Sequence, residues 1–132
     1  MAKISYPFVS FKRGDIARPY LPITLSNPAT GIEMEAYALV DTGADECAFP
    51  ARFAAILGHD FTAGERKQIQ TGNGLTLAYS HTSIITLDEF ATDQIAVDYL
   101  INLETPLLGV QSFLSHFIIT LDYPKQIVTL ET

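Results

Sequence analysis

The chain has no tryptophan, one cysteine and two methionines among its 132 residues. A single thiol, Cys47, cannot close an internal disulfide, so the fold does not depend on oxidation. Basic residues are also scarce: eight Lys and Arg stand against fifteen Asp and Glu, for a net charge of −7. A surface of that sign repels phosphate backbones and anionic headgroups, which argues against nucleic acid and membrane surfaces as partners. Lys12, Arg13 and the Arg66-Lys67 pair are too few to form a basic patch. No apolar run approaches the ~20 residues of a membrane span. No apolar h-region follows the opening Met1-Ala2-Lys3-Ile4-Ser5-Tyr6-Pro7, so a cytoplasmic protein is expected. His59, His81 and His116 are scattered without the i, i+4 spacing of metal ligands. Gly72-Asn73-Gly74 is not a phosphate loop, because neither Lys-Ser/Thr nor a helix follows it. Neither metal nor cofactor is expected.

What the chain does have is apolar material: 48% of residues are hydrophobic and 17% charged, enough for one real core. Residues 1–18 lack a sustained period and read as an N-terminal arm; 19–132 read as the domain proper. Residues 20–25 and 32–40 have strand character, separated by the dense turn Ser26-Asn27-Pro28-Ala29-Thr30-Gly31. Residues 50–57 read as a short helix, opened by Pro50 and closed by Gly58. Residues 68–72 and 75–87 flank Asn73-Gly74, a strong hairpin-turn dipeptide. Residues 95–101, 117–121 and 127–130 are further strands, and Val110, Phe113, Leu114 and Phe117 have helical spacing. The fold class is all-β: a small closed or partly open β-barrel of short strands with one or two short helices.

The segment with chemical promise is Ala38-Leu39-Val40-Asp41-Thr42-Gly43-Ala44-Asp45. An apolar strand ends abruptly in a carboxylate, followed by a hydroxyl and a glycine. Gly43 allows a tight turn that brings its N–H towards the Asp41 carboxylate, and the Thr42 hydroxyl can reach backbone groups of a facing loop. The plain alternative is a turn, since Asp, Thr and Gly all suit turns. Context favours the first reading: a second apolar–apolar–Gly element, Leu107-Leu108-Gly109, lies downstream, and a Gly-tipped hairpin lies between the two.

That order, over residues 20–131, resembles the retropepsin-like aspartic proteases, which comprise the retroviral proteases and their single-domain cellular and bacterial relatives. The closing segment, Phe117-Ile118-Ile119-Thr120-Leu121-Asp122-Tyr123-Pro124 through Val128-Thr129-Leu130-Glu131, is similar to the last hairpin of bacterial members. The resemblance implies that Asp41 activates water and that Thr42 and Gly43 support its loop. It implies that the hairpin bearing Gly72, Asn73 and Gly74 is a flap over the substrate, and that Ala44 and Asp45 contact a polypeptide substrate. Retroviral members carry an Arg after the downstream Gly, paired with the second acid of the catalytic loop; here that position is Val110, so Asp45 lacks that partner.

The chemistry needs two carboxyls, one ionised to take a proton from water and one protonated to polarise the scissile carbonyl. Asp60, Asp88, Asp93, Asp98 and Asp122 all lack the following hydroxyl–Gly pair. A two-fold homodimer would supply the second carboxyl by symmetry. The expected activity is that of an aspartic endopeptidase. Two alternatives stay open: a peptide-binding module of the same fold that cleaves little, and a structural dimerisation domain. Cys47 reads as a small buried core residue.

Overall fold

Alternating apolar and polar residues commit most of the chain to strands, because successive side chains of a strand point to opposite faces. The structure is a computed structural model that describes residues 2–72 and 74–132. In chain order the strands are β1 (Lys3–Pro7), β2 (Tyr20–Ser26), β3 (Glu33–Val40), β4 (Ala48–Pro50), β5 (Glu65–Thr71), β6 (Gly74–Leu87), β7 (Phe90–Ala91), β8 (Ile95–Leu100), β9 (Leu107–Leu108), β10 (Ile118–Asp122) and β11 (Ile127–Glu131). The helix α1 spans Ala51–Ile56, and 3-10 turns span Phe61–Ala63 and Leu114–His116. No described helix is long and apolar enough to cross a membrane.

The larger sheet runs β2-β3-β9-β4-β8-β6-β5, with β7 on β6. The long β6 also pairs with β2, Leu25 opposite Ile85, so hydrogen-bonded neighbours return from β6 to β2 in a ring. Such a ring can fill its interior with side chains. Leu21, Ile23 and Leu25 of β2, Ala38 and Val40 of β3, Ile85 and Leu87 of β6, and Val97 and Tyr99 of β8 are all buried. A second sheet, β1-β11-β10, joins the two ends of the chain and buries Val128 and Leu130 against the same core.

Local chemistry sets the connections. In the turn after β2, the Asn27 Oδ1 accepts the Ala29 N–H at 2.9 Å. Asn27 Nδ2 and Thr30 Oγ1 both donate to the Leu57 carbonyl, at 3.0 and 2.9 Å, so this turn satisfies an orphan carbonyl at the C-terminus of α1. Pro50 is both the last residue of β4 and the N-cap of α1, and Gly58 closes the helix at φ +77°.

Two expectations are realised differently. The helical spacing over 110–116 becomes a single 3-10 turn, because Phe113 sits at φ −131°, ψ −64°, outside helical space. Its apolar residues serve an aromatic cluster instead: Phe113 lies 5.3 Å from Phe117 and 5.9 Å from Phe90, ring to ring, in edge-on or tilted arrangements. In the β5–β6 hairpin, Thr71 pairs with Gly74, which already belongs to β6 and has φ +100°. A turn centred on Asn73-Gly74 would place that pairing one residue later; Asn73 itself lies outside the described residues.

Candidate active site

The strand before Asp41 is held on both edges. Leu39 and Val40 pair in parallel with Leu107 and Leu108 of β9, and the Val40 N–H donates to the Pro19 carbonyl at 3.0 Å. The Asp41 N–H continues the ladder to the Leu108 carbonyl at 3.1 Å. The chain then turns sharply, with the Ala44 N–H on the Asp41 carbonyl at 3.1 Å. This turn brings the Gly43 N–H to the Asp41 Oδ1 at 3.1 Å, the donation anticipated from the glycine. Thr42 and Gly43 are exposed in the single chain, whereas the Asp41 side chain is half-buried.

The downstream Leu107-Leu108-Gly109 locks the same loop. Val110 and Gln111 donate their N–H groups to the carbonyls of Ala44 and Asp45, at 2.9 and 2.8 Å. Gly109 passes so close to the loop that a Cβ there would stand 2.3 Å from the Glu46 carbonyl group. Its N–H donates to the Cys47 Sγ at 3.3 Å. Cys47 is fully buried, and burial pushes its thiol up to about 11. It is a packing residue beneath the loop, as its type suggested.

In front of Asp41 lies an open cleft of about 740 Å³. Its floor is one face of the larger sheet. Register places Leu107, Ala48, Asp98 and Ser80 in one row across β9, β4, β8 and β6, and Leu100, Ala78 and Lys67 in the next across β8, β6 and β5. The opposite face carries Phe49 and Tyr99 into the core. Asp41 and, next to it along the chain, Gly43, Ala44, Asp45 and Glu46 line this cleft together with Gln68, Ile69, Gln70 and Gly72 of the hairpin. Asp41, Gly43, Ala44, Asp45 and Gly72 therefore share one cleft. Thr42 and Gly74 are not among its lining residues, and Asn73 is not described.

One polar residue of this cleft escaped the sequence reading. Asp98 is only 2% exposed, accepts the Ser80 hydroxyl at 2.6 Å on Oδ1, and receives the Lys67 ammonium on the same oxygen at 3.3 Å. The signal was available: Asp98 is a lone charge inside the apolar strand Ile95-Ala96-Val97-Asp98-Tyr99-Leu100, where a buried carboxylate requires partners. Its partners lie on other strands and could not be named from sequence.

No protein-family model matches the sequence, and no curated protein sequence matches it. Solved structures do. A retropepsin-like aspartic protease from Rickettsia conorii superposes with a TM-score of 0.72 and 22% identity over 98% of this chain and 99% of that one. The chain has the retropepsin-like fold. EIAV protease, complexed with the inhibitor HBY-793, is similar at a TM-score of 0.54 and 17% identity, covering 76% of this chain and 88% of its own. Within the retropepsin-like fold of this chain, Asp41 ends an inner strand, Leu107-Leu108-Gly109 packs behind it, and the β5–β6 hairpin borders the cleft in front.

Proposed function

We propose that this chain is one subunit of an aspartic endopeptidase, a homodimer in which the Asp41 carboxyls of two copies face each other and activate water against a peptide bond. The observation that carries the reading is the Asp41 carboxyl itself, placed at the cleft by a clamped strand and bonded on Oδ1 by the Gly43 N–H. In this reading the attack of water on the peptide bond uses one carboxylate that removes a proton and one carboxylic acid that polarises the carbonyl. Within one chain Asp98 also lines the cleft, but its charge is committed to Ser80 and Lys67. Asp45 and Glu46 line the cleft beyond the turn. A second carboxyl with the same strand-end geometry is available from another copy. Two carboxyls in close contact share one proton, which supplies both forms at once.

In this reading an extended polypeptide lies between the cleft floor and the β5–β6 hairpin, paired along its backbone as an added strand. The hairpin acts as a flap, with Gly72, Asn73 and Gly74 at or beside its tip. Ala44 and Asp45 line the cleft, and because their carbonyls are occupied by Val110 and Gln111, they meet substrate through their other groups. The dyad takes a proton from water as the oxygen attacks the scissile carbon, then returns a proton to the departing amine; no covalent acyl-enzyme forms. We further propose a cytoplasmic location, which cell fractionation would test.

The test is cleavage of an unfolded protein substrate by the parent chain and by Asp41→Asn across the range from about pH 4 to about pH 7, where carboxyl dyads work. The variant keeps the shape and cannot cycle the proton, so cleavage is expected to fall by at least about a thousandfold. Equal cleavage by both would overturn the assignment. Peptide binding without cleavage by the parent would leave a binding module.

A further inference from the structure

The cleft floor contains a charged side chain that the proton chemistry does not use. Asp98 is almost fully buried, and its neighbours in the sheet are small: Ala48 on β4 and Ser80 on β6 stand directly opposite it, and Ala78 stands between Leu100 and Lys67 in the next row. Small residues leave open space above the carboxylate, and the group that reaches into that space is the Lys67 ammonium. Lys67 belongs to β5, the first strand of the hairpin, and Asp98 to β8, with β6 between them in the sheet. The lysine side chain is 31% exposed and the aspartate side chain 3%, so Lys67 is the solvent-reaching partner of the pair.

We propose that Asp98 is a charge socket that selects a basic substrate side chain, with Lys67 as its internal occupant when no substrate is bound. The inference rests on the peptidase reading for the identity of the ligand, an extended polypeptide. A carboxylate in a desolvated position requires a cation or strong donors, so Lys67 leaves most readily when another cation takes its place. An incoming lysine or arginine satisfies that condition, and Lys67, already partly in water, can release its ammonium to solvent. The charge around the socket chooses the sign: the lining side chains of the cleft include the carboxylates of Asp41, Asp45, Glu46 and Asp98 and one ammonium, Lys67. An acidic substrate side chain would add to the excess of negative charge, and an apolar one would leave Lys67 in place and gain nothing from Asp98.

The probe is a set of fluorescein-labelled peptides with a reduced, uncleavable central bond, in which one position at a time carries lysine, norleucine or glutamate. Binding is read by anisotropy on the parent, Lys67→Met and Asp98→Asn, so the readout is independent of catalysis. In the parent an incoming ammonium replaces another ammonium, and the best lysine peptide is expected to bind about threefold tighter than its norleucine counterpart. In Lys67→Met the socket is empty and that preference should widen to about thirtyfold; in Asp98→Asn it should vanish. If Lys67→Met fails to fold, the loss of lysine preference between the parent and Asp98→Asn still decides. A lysine preference unchanged in Asp98→Asn, or a Lys67→Met variant that binds all peptides equally weakly, would overturn the socket while leaving the peptidase reading intact. Failure of every peptide to bind, together with equal cleavage by the parent and Asp41→Asn, would remove both.

Discussion

Gly43 and Gly109 each follow a strand that ends at the cleft, yet they are glycines for different reasons. A Cβ on Gly109 would meet the backbone of Glu46 at 2.3 Å and the Cys47 nitrogen at 2.9 Å, so β9 and the loop after Asp41 can lie this close only without a side chain there. A Cβ on Gly43 would meet nothing in its own chain nearer than the Asp41 Oδ1 at 3.5 Å, an ordinary contact. Gly109→Ala is therefore expected to destabilise the fold by about 2–3 kcal/mol, read from denaturant unfolding, because backbone must move to admit the methyl. Gly43→Ala should cost less than about 1 kcal/mol in the same measurement, since no backbone need shift. Its new methyl stands beside the carboxyl, in the space that substrate, water or the second copy would use, and cleavage should fall by about tenfold or more. A Gly43→Ala variant that unfolds, or a Gly109→Ala variant as stable as the parent, would contradict this division.

At the scale of elements, legibility followed length and contrast. β2, β3, β6 and β11 could be read because several alternating residues ran between strong turns, and the 27–31 turn carried its own hydrogen-bonding side chains. β4 could not, because Ala48-Phe49-Pro50 is too short to show a period and Pro50 points equally to the helix it caps. Asp41-Thr42-Gly43 stood out because its chemistry is local, whereas contacts assembled across strands were hidden: Lys67–Asp98 in the cleft, and His59–His81, which does not line it. These two rings, distant in sequence, lie 4.6 Å apart between the segment after α1 and β6. His59 also faces the Tyr99 ring at 5.4 Å and the Ser83 hydroxyl at 3.4 Å, with Asp60 next to it along a shared surface cavity. Burial, and after it the neighbouring His81, lower His59 from 6.5 to about 4. A depressed histidine stabilises the fold in its neutral form: the contribution is whole above the unfolded value of 6.5 and is lost as pH falls towards the folded value of about 4. His59→Gln has no charge to acquire. Between about pH 7 and about pH 4 the parent should lose on the order of 1 kcal/mol more stability than this variant, a figure reduced for solvent screening. Thermal unfolding of both across that range checks it; parallel profiles would mean that His59 charges freely in the folded state.

At the scale of the whole molecule, the proposed homodimer raises the question of how two copies would meet. The terminal hairpin β10–β11 and the N-terminal arm are candidate elements for the interface of the proposed homodimer. In the single chain β1 already occupies one edge of β11, pairing Lys3 with Glu131 through Pro7 with Ile127, and among the described residues β10 forms the other edge of that sheet, with Ile118 exposed. A dimer built on this sheet would use its outer edges, β1 and β10, or its face, and an active one would have to bring Asp41 to the two-fold axis. That requirement sets the most discriminating prediction. At neutral pH two facing carboxyls repel unless they share a proton, so the dyad opposes association as its second proton is lost. Asp41→Asn removes the charge from both copies and replaces the repulsion by neutral amides that can bond across the axis. The variant dimer should therefore be at least as tight as the parent at about pH 7, and its advantage should shrink on acidification, as the parent regains the shared proton. Sedimentation equilibrium of both proteins across that range measures it. A parent that stays monomeric at tens of micromolar (roughly, for a dimer of ordinary affinity) would count against the active dimer. A variant dimer clearly weaker than the parent would mean that Asp41 has a favourable cationic or donor partner at the interface in place of its own copy, and the peptide-binding reading would then replace the catalytic one.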